Sequence, residues 1–169
     1  MSSIEGPIQD RYAEDVAHCF GCGRLNGEGH QLKTVPEGDH TVARFTPAPA
    51  HTAIPGYVYG GLLASLVDCH GTGTAAWAAH DEGGEVPRFV TAKLEVQYVA
   101  PTPLGPELTL VGRVRERSAR KVVVDVELSA EGVPTVRGVV VAVRMPASFG
   151  QPRTSSSAAR SPDPSAPSP

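Results

Sequence analysis

The residues of this chain best equipped for chemistry lie in one short stretch. Gly60-Gly61 opens the apolar run 62–67, and Asp68 follows directly. Read as a helix, the run places free backbone N–H groups and a partial positive charge at the glycine pair. It places one carboxylate two turns further on, where burial is costly without a partner or a task. An amide donor and a carboxylate are what is needed to polarise a carbonyl and to supply a base or a nucleophile. Thr72 stands one turn beyond Asp68, and Tyr59 and His51 precede the pair. His51 and His70 read more readily as structural residues. Cys69 reads as a small buried hydrophobe. A Cys69–His70 nucleophilic dyad is excluded because adjacent helical residues point apart.

Cys19-Phe20-Gly21-Cys22 is formally a Cys-x-x-Cys, with His18 and His30 nearby. A Cys2His2 zinc site can be written from these residues, but the spacing matches no common zinc module. The segment reads as a glycine-bearing turn with two semi-buried thiols, and no metal is expected. No thioredoxin-type strand–turn–helix pattern surrounds it, and three cysteines give no disulfide framework.

Positioning these groups requires a folded domain, and the composition allows one. The 169 residues carry a net charge of −3, with a pI near 6.0 and a mean hydropathy of −0.14. This balance gives no reason to expect a nucleic-acid partner. No apolar run is long enough to span a membrane, and residues 1–10 lack the pattern of a secretory leader. A cytoplasmic protein is expected. From about residue 147 the chain is rich in Pro, Ser and Ala and is expected to be disordered.

Between these limits the pattern predicts a short helix over 7–17, a structured loop over 19–29, and a hairpin of strands 31–36 and 40–45 turning at Glu37-Gly38-Asp39. A long proline-bearing loop, 46–59, leads into one helix over 60–80. Gly71 and Gly73 in that helix imply another element passing close by. Strand 88–100 alternates Val90, Ala92, Leu94, Val96 and Tyr98 with polar residues. Strands 107–117, 121–130 and 135–145 complete the set, the last two joined by a turn over 130–134. One helix cannot cover a six-strand sheet on both faces, so the sheet should curl around it. The other face must meet solvent or a second subunit. The expected class is α+β, an antiparallel sheet of five to six strands around one long central helix, and the protein should dimerise.

The chain resembles the PaaI-like hotdog-fold acyl-CoA thioesterases of the thioesterase superfamily. The resemblance rests on Cys19-Phe20-Gly21-Cys22-Gly23 with Asn26, on Pro55-Gly56-Tyr57-Val58-Tyr59-Gly60-Gly61 with Asp68 seven positions on, and on Val96-Gln97-Tyr98-Val99-Ala100-Pro101 with Gly105. It implies a domain over 19–146, with an N-terminal extension, 1–18, and a tail, 147–169. It implies hydrolysis of an acyl-CoA to free acid and CoA, within fatty acid metabolism, by a homodimer or dimer of dimers without a cofactor. Asp68 would be general base or nucleophile, and the Gly60 N–H would polarise the thioester carbonyl. Thr91 would reach in from the partner subunit to orient water, and Thr72 would offer a helix hydroxyl. Tyr59, Gly61, His51, Arg88 and Arg120 would contact substrate. Arg88 would stand at the mouth, and Arg120 would sit among Arg113, Arg115, Arg117 and Lys121 to meet CoA phosphates. Tyr59 stands where the family has His, and His51 or Thr52 stands near a missing loop amide. The alternatives are a non-catalytic acyl-thioester-binding module and, third, an enoyl-thioester hydratase.

Overall fold

The computed structural model describes residues 4–81, 84–146 and 149. Six strands form one antiparallel sheet: β1 (Val35–Glu37), β2 (His40–Phe45), β3 (Phe89–Tyr98), β4 (Leu108–Arg117), β5 (Lys121–Ala130) and β6 (Val133–Arg144). Their spatial order is β1-β2-β4-β5-β6-β3. A single helix, α1 (Gly60–Ala78), packs across β3 to β6. This is the architecture that the helix-plus-strand order predicts.

The helix is held against the sheet by small residues. Leu62, Leu63, Leu66, Val67 and the whole run 69–77 are buried. A Cβ on Gly71 would lie 2.4 Å from Val140 Cγ2, and one on Gly138 would lie 2.3 Å from Val67 Cγ1. Glycine on both elements lets helix and sheet approach to contact. A buried polar chain fills part of the same interface. His70 Nδ1 pairs with Thr34 Oγ1 at 3.0 Å and its Nε2 with Thr41 Oγ1 at 3.3 Å. Thr41 and Thr74 hydroxyls pair at 2.6 Å, and Gln9 Nε2 donates to Thr34 Oγ1 at 3.1 Å. His70 is therefore a satisfied core residue. Burial pulls it down to about 4, so it is neutral.

Several boundaries differ from the predicted ones. Residues 7–17 form two 3-10 turns, Ile8–Arg11 and Glu14–Val16, rather than one helix. Ile4, Ile8, Tyr12 and Ala17 nonetheless belong to the core, so this segment is built into the domain. β1 begins four residues later than predicted. Gln31 takes φ +54 and Leu32 N–H bonds Gly21 C=O at 3.0 Å, which ties 31–34 to the leader loop. β6 begins two residues early, because Glu131 and Gly132 both take positive φ (51 and 78) and close a two-residue hairpin. The alternation in β3 does not mark a buried face. β3 is an edge strand, and Leu94 and Tyr98 are exposed at 36% and 52%. The expected disordered tail, Phe149 apart, lies outside the described residues. No helix among the described residues is long and apolar enough to cross a membrane.

Candidate active site

Gly60 is the first residue of α1, and Tyr59 caps it with extended backbone (φ −72, ψ 141). The first-turn amides of a helix have no intrahelical acceptor, so Gly60 and Gly61 present their N–H groups at the end of loop 46–59. That loop is pinned by short-range bonds: Tyr59 N–H to His51 C=O at 3.0 Å and Val58 N–H to Thr102 C=O at 3.0 Å. His51 Nδ1 accepts from the Ala48 N–H at 3.0 Å. Its ring joins a cluster with His30 and Phe45, to which Phe20 also stacks through His30. His51 thus shapes the loop beside the helix start. The Tyr59 ring covers Gly61, where a Cβ would lie 2.7 Å from Tyr59 Cε2.

Tyr98, which the sequence placed in the alternation of β3 and in the segment 96–101 that carries the resemblance, donates its hydroxyl to the Gly60 carbonyl at 2.8 Å. The bond anchors the edge strand to the first peptide of α1. The available signal was an aromatic hydroxyl on a strand just before the turn at Ala100-Pro101, which no period-2 reading distinguishes from packing.

Asp68 is half-buried on the third turn of α1. Its Oδ1 accepts a hydrogen bond from the Thr91 hydroxyl. Both residues belong to the same chain. β3 lies at the sheet edge, paired only to β6, and a register shift between Thr91 and Lys93 interrupts it there. Burial holds the Asp68 carboxyl above the usual carboxylate range. The Thr91 bond and the Arg88 charge oppose that rise, and Cys19 adds to it. Eight residues of helix separate Gly60 from Asp68, about 12 Å of rise. The amide and the carboxylate of one chain thus stand well apart along α1.

The other candidates fall elsewhere. Thr72 Oγ1 donates to its own helix, to the carbonyls of Asp68 (3.2 Å) and Cys69 (3.1 Å). Arg88 is not at an open mouth: its guanidinium lies over the Tyr12 ring, 4.7 Å from the centroid. Arg120 lies in the β4–β5 turn, whose neighbours Arg117, Ser118 and Ala119 share a surface hollow with Ala79 and Asp81, just past the C-terminus of α1. It is therefore roughly 28 Å along the helix from Gly60 of its own chain. Arg115 is paired with Asp125, Arg113 with Asp39 and Lys121 with Glu116, a cross-paired outer strand face rather than a free basic cluster. Cys19, Cys22 and Cys69 meet beside Asp68. Donation from Cys22, then Cys69, draws the Cys19 thiol down, and Cys69 is pushed up in turn.

The thioesterase superfamily profile matches residues 55–136. A thioesterase superfamily protein of Shewanella loihica, solved as a crystal structure, is 50% identical, with 80% of this chain and 100% of that chain covered and a TM-score of 0.64. The E. coli PaaI protein of the phenylacetic acid degradation operon shares the fold at 16% identity, with 69% and 81% covered and a TM-score of 0.59. An acyl-coenzyme A thioesterase of Xenopus laevis, THEM4, is 35% identical over 81 residues, 48% of this chain and 33% of that protein. The chain thus spans about a third of the length of that curated relative.

Proposed function

This chain belongs to the thioesterase superfamily, and from that membership we propose that it hydrolyses an acyl-CoA to the free acid and CoA. The carrier is taken from the curated relative, an acyl-coenzyme A thioesterase. The observation that carries the residue assignment is the half-buried Asp68 carboxylate, held by Thr91 and the one acidic group on α1. In this reading Asp68 activates a water, or attacks the thioester carbonyl directly. The carbon–sulfur bond breaks, and the pair of electrons leaves with CoA as thiolate. Thr91 fixes the carboxylate's orientation. The Gly60 N–H supplies a preorganised dipole to the developing oxyanion.

The 12 Å between Gly60 and Asp68 within one chain gives this reading its assembly. Each site pairs the helix start of one protomer with Asp68 and Thr91 of another, so the working unit is a homodimer or a dimer of dimers. Tyr59, Gly61 and His51 line the helix-start side. Arg120, distant from the Gly60 of its own chain, meets CoA phosphates only across a subunit boundary. We assign Thr72 to support of the helix backbone.

The test is hydrolysis of a panel of acyl-CoAs by wild type and Asp68→Asn. Loss of a general base lowers the rate by about 10²–10⁴-fold, with the melting temperature retained. A folded Asp68→Asn protein as active as wild type overturns the assignment. Acyl-CoA binding by the wild type without turnover of any panel member favours a binding module instead.

A further inference from the structure

The Cys-x-x-Cys of the leader loop has no part in thioester hydrolysis, and the fold adds a third sulfur to it. Cys69, 50 residues on from Cys19, projects from α1 so that the three Sγ atoms lie within 4.8 Å of one another. Cys19 and Cys69 Sγ are 3.9 Å apart, and all three cysteines are free. Sulfurs sharing one zinc ion at about 2.3 Å stand about 3.8 Å apart in a tetrahedron and about 4.0 Å in a trigonal plane.

The loop is shaped around these sulfurs. A Cβ on Gly21 would lie 2.3 Å from Cys69 Sγ, so only glycine admits the helix thiol into the turn. Gly23 N–H closes that turn on Cys19 C=O at 2.7 Å, and His30 N–H and Leu32 N–H tie the returning chain to Phe20 and Gly21. A second observation is independent of the sulfur spacing. Arg88 Nη1 is buried without a hydrogen-bond partner, and Arg88 forms no ion pair among the described residues. Buried cations are paired, and the contact this guanidinium makes is with the Tyr12 ring, 4.7 Å from its centroid. A cluster carrying one net negative charge would add a counter-charge for this arginine.

We propose that Cys19, Cys22 and Cys69 bind a thiophilic metal ion, Zn2+, as three thiolates. Binding releases three thiol protons and forms three zinc–sulfur bonds, leaving a net charge of −1 beside Arg88, and water takes the fourth position. His18 and His30 are not ligands. His18 is exposed, and the His30 ring stacks between Phe20, Phe45 and His51. The ion staples the leader loop to α1 one residue from Asp68, and it stands independently of the thioesterase reading.

The experiment uses the full chain, reduced and stripped with chelator under anaerobic conditions, and titrated with Co2+ and then Zn2+. The expected result is a thiolate-to-cobalt charge-transfer band that saturates at one ion per chain and is bleached by Zn2+. Zinc should also raise the melting temperature. Cys19→Ser, at the half-exposed ligand, and Cys69→Ala should each lose the band; Cys19→Ser in particular should stay folded by circular dichroism. Absence of the band and of the melting shift in wild type overturns the proposal. So does a band that survives in folded Cys19→Ser, or binding of Cu+ alone with no response to Co2+ or Zn2+.

Discussion

Asp68 and Thr91 form a contact that is small in area and large in consequence. A hydrogen bond to a charged group contributes about 1.5–3 kcal/mol. Thr91→Val, which keeps the shape and removes the hydroxyl, should lower the melting temperature by no more than that bond is worth and, by freeing the carboxylate to turn, lower kcat/KM about tenfold or more. Steady-state kinetics on the best acyl-CoA checks this, and an unchanged kcat/KM removes Thr91 from the reaction. Tyr98→Phe removes the only side-chain bond recorded to the Gly60 carbonyl and should lower kcat with little effect on KM. The candidates along one helix, Gly60 and Asp68, were legible in the sequence because their types and spacing are local facts. The Thr91 contact was not, since it depends on which strand lies at the sheet edge and on the register shift that interrupts β3 at that residue.

The helix and its strands carry predictions of their own. A Cβ at position 138 would meet both Val67 Cγ1 (2.3 Å) and the Glu95 carbonyl (3.3 Å), one on the helix and one on the neighbouring strand. Gly138→Ala should cost about 1–3 kcal/mol by overpacking, seen as a lower midpoint in denaturant at unchanged slope. His70 makes the helix–sheet contact sensitive to acid. Its folded value, about 4, lies below the ordinary 6.5, so the unfolded chain binds the extra proton first. Stability is thus full above pH 6.5 and falls as pH drops from 6.5 toward 4, by on the order of 3 kcal/mol. Urea unfolding across that range, in chelator, should show the slope in wild type, and His70→Gln should flatten it. The start of α1 was legible from the glycine pair, and β5 from its alternation. The start of β6 was hidden because Pro134 reads as a breaker, yet it pairs with Ser129 at a register irregularity, a place in a sheet where proline is tolerated.

At the scale of the whole molecule, the exposed β3 edge and the Gly60–Asp68 separation are the two features on which the proposed dimer rests. Proline is tolerated at the first helical position, and Tyr59 already has the extended backbone that a following proline requires. Gly60→Pro therefore deletes the proposed donor while sparing the helix, with its Cβ pressing on the Tyr98 hydroxyl at 3.1 Å, and should cost about 10²–10³ in kcat. If each site draws on two chains, refolding Gly60→Pro together with Asp68→Asn should regain activity that neither has alone, because some mixed dimers hold one intact site. Failure to regain activity, with mixed dimers demonstrated, would falsify the shared site. The strands and the single central helix could be argued from hydrophobic period, though not the order of the strands in the sheet. A shared site could not, because a period describes one chain and says nothing of its neighbours.

The Tyr98 phenol bridges the uncovered margin of the sheet and the opening peptide of α1. The carbonyl of Gly60 and the nitrogen of Gly61 belong to one conjugated unit, so a proton lent to the oxygen makes the N–H a sharper donor. Anything that dries the margin strengthens that loan. Quaternary contact along β3 would then tune the Gly61 amide, next to the proposed Gly60 donor, without moving the backbone.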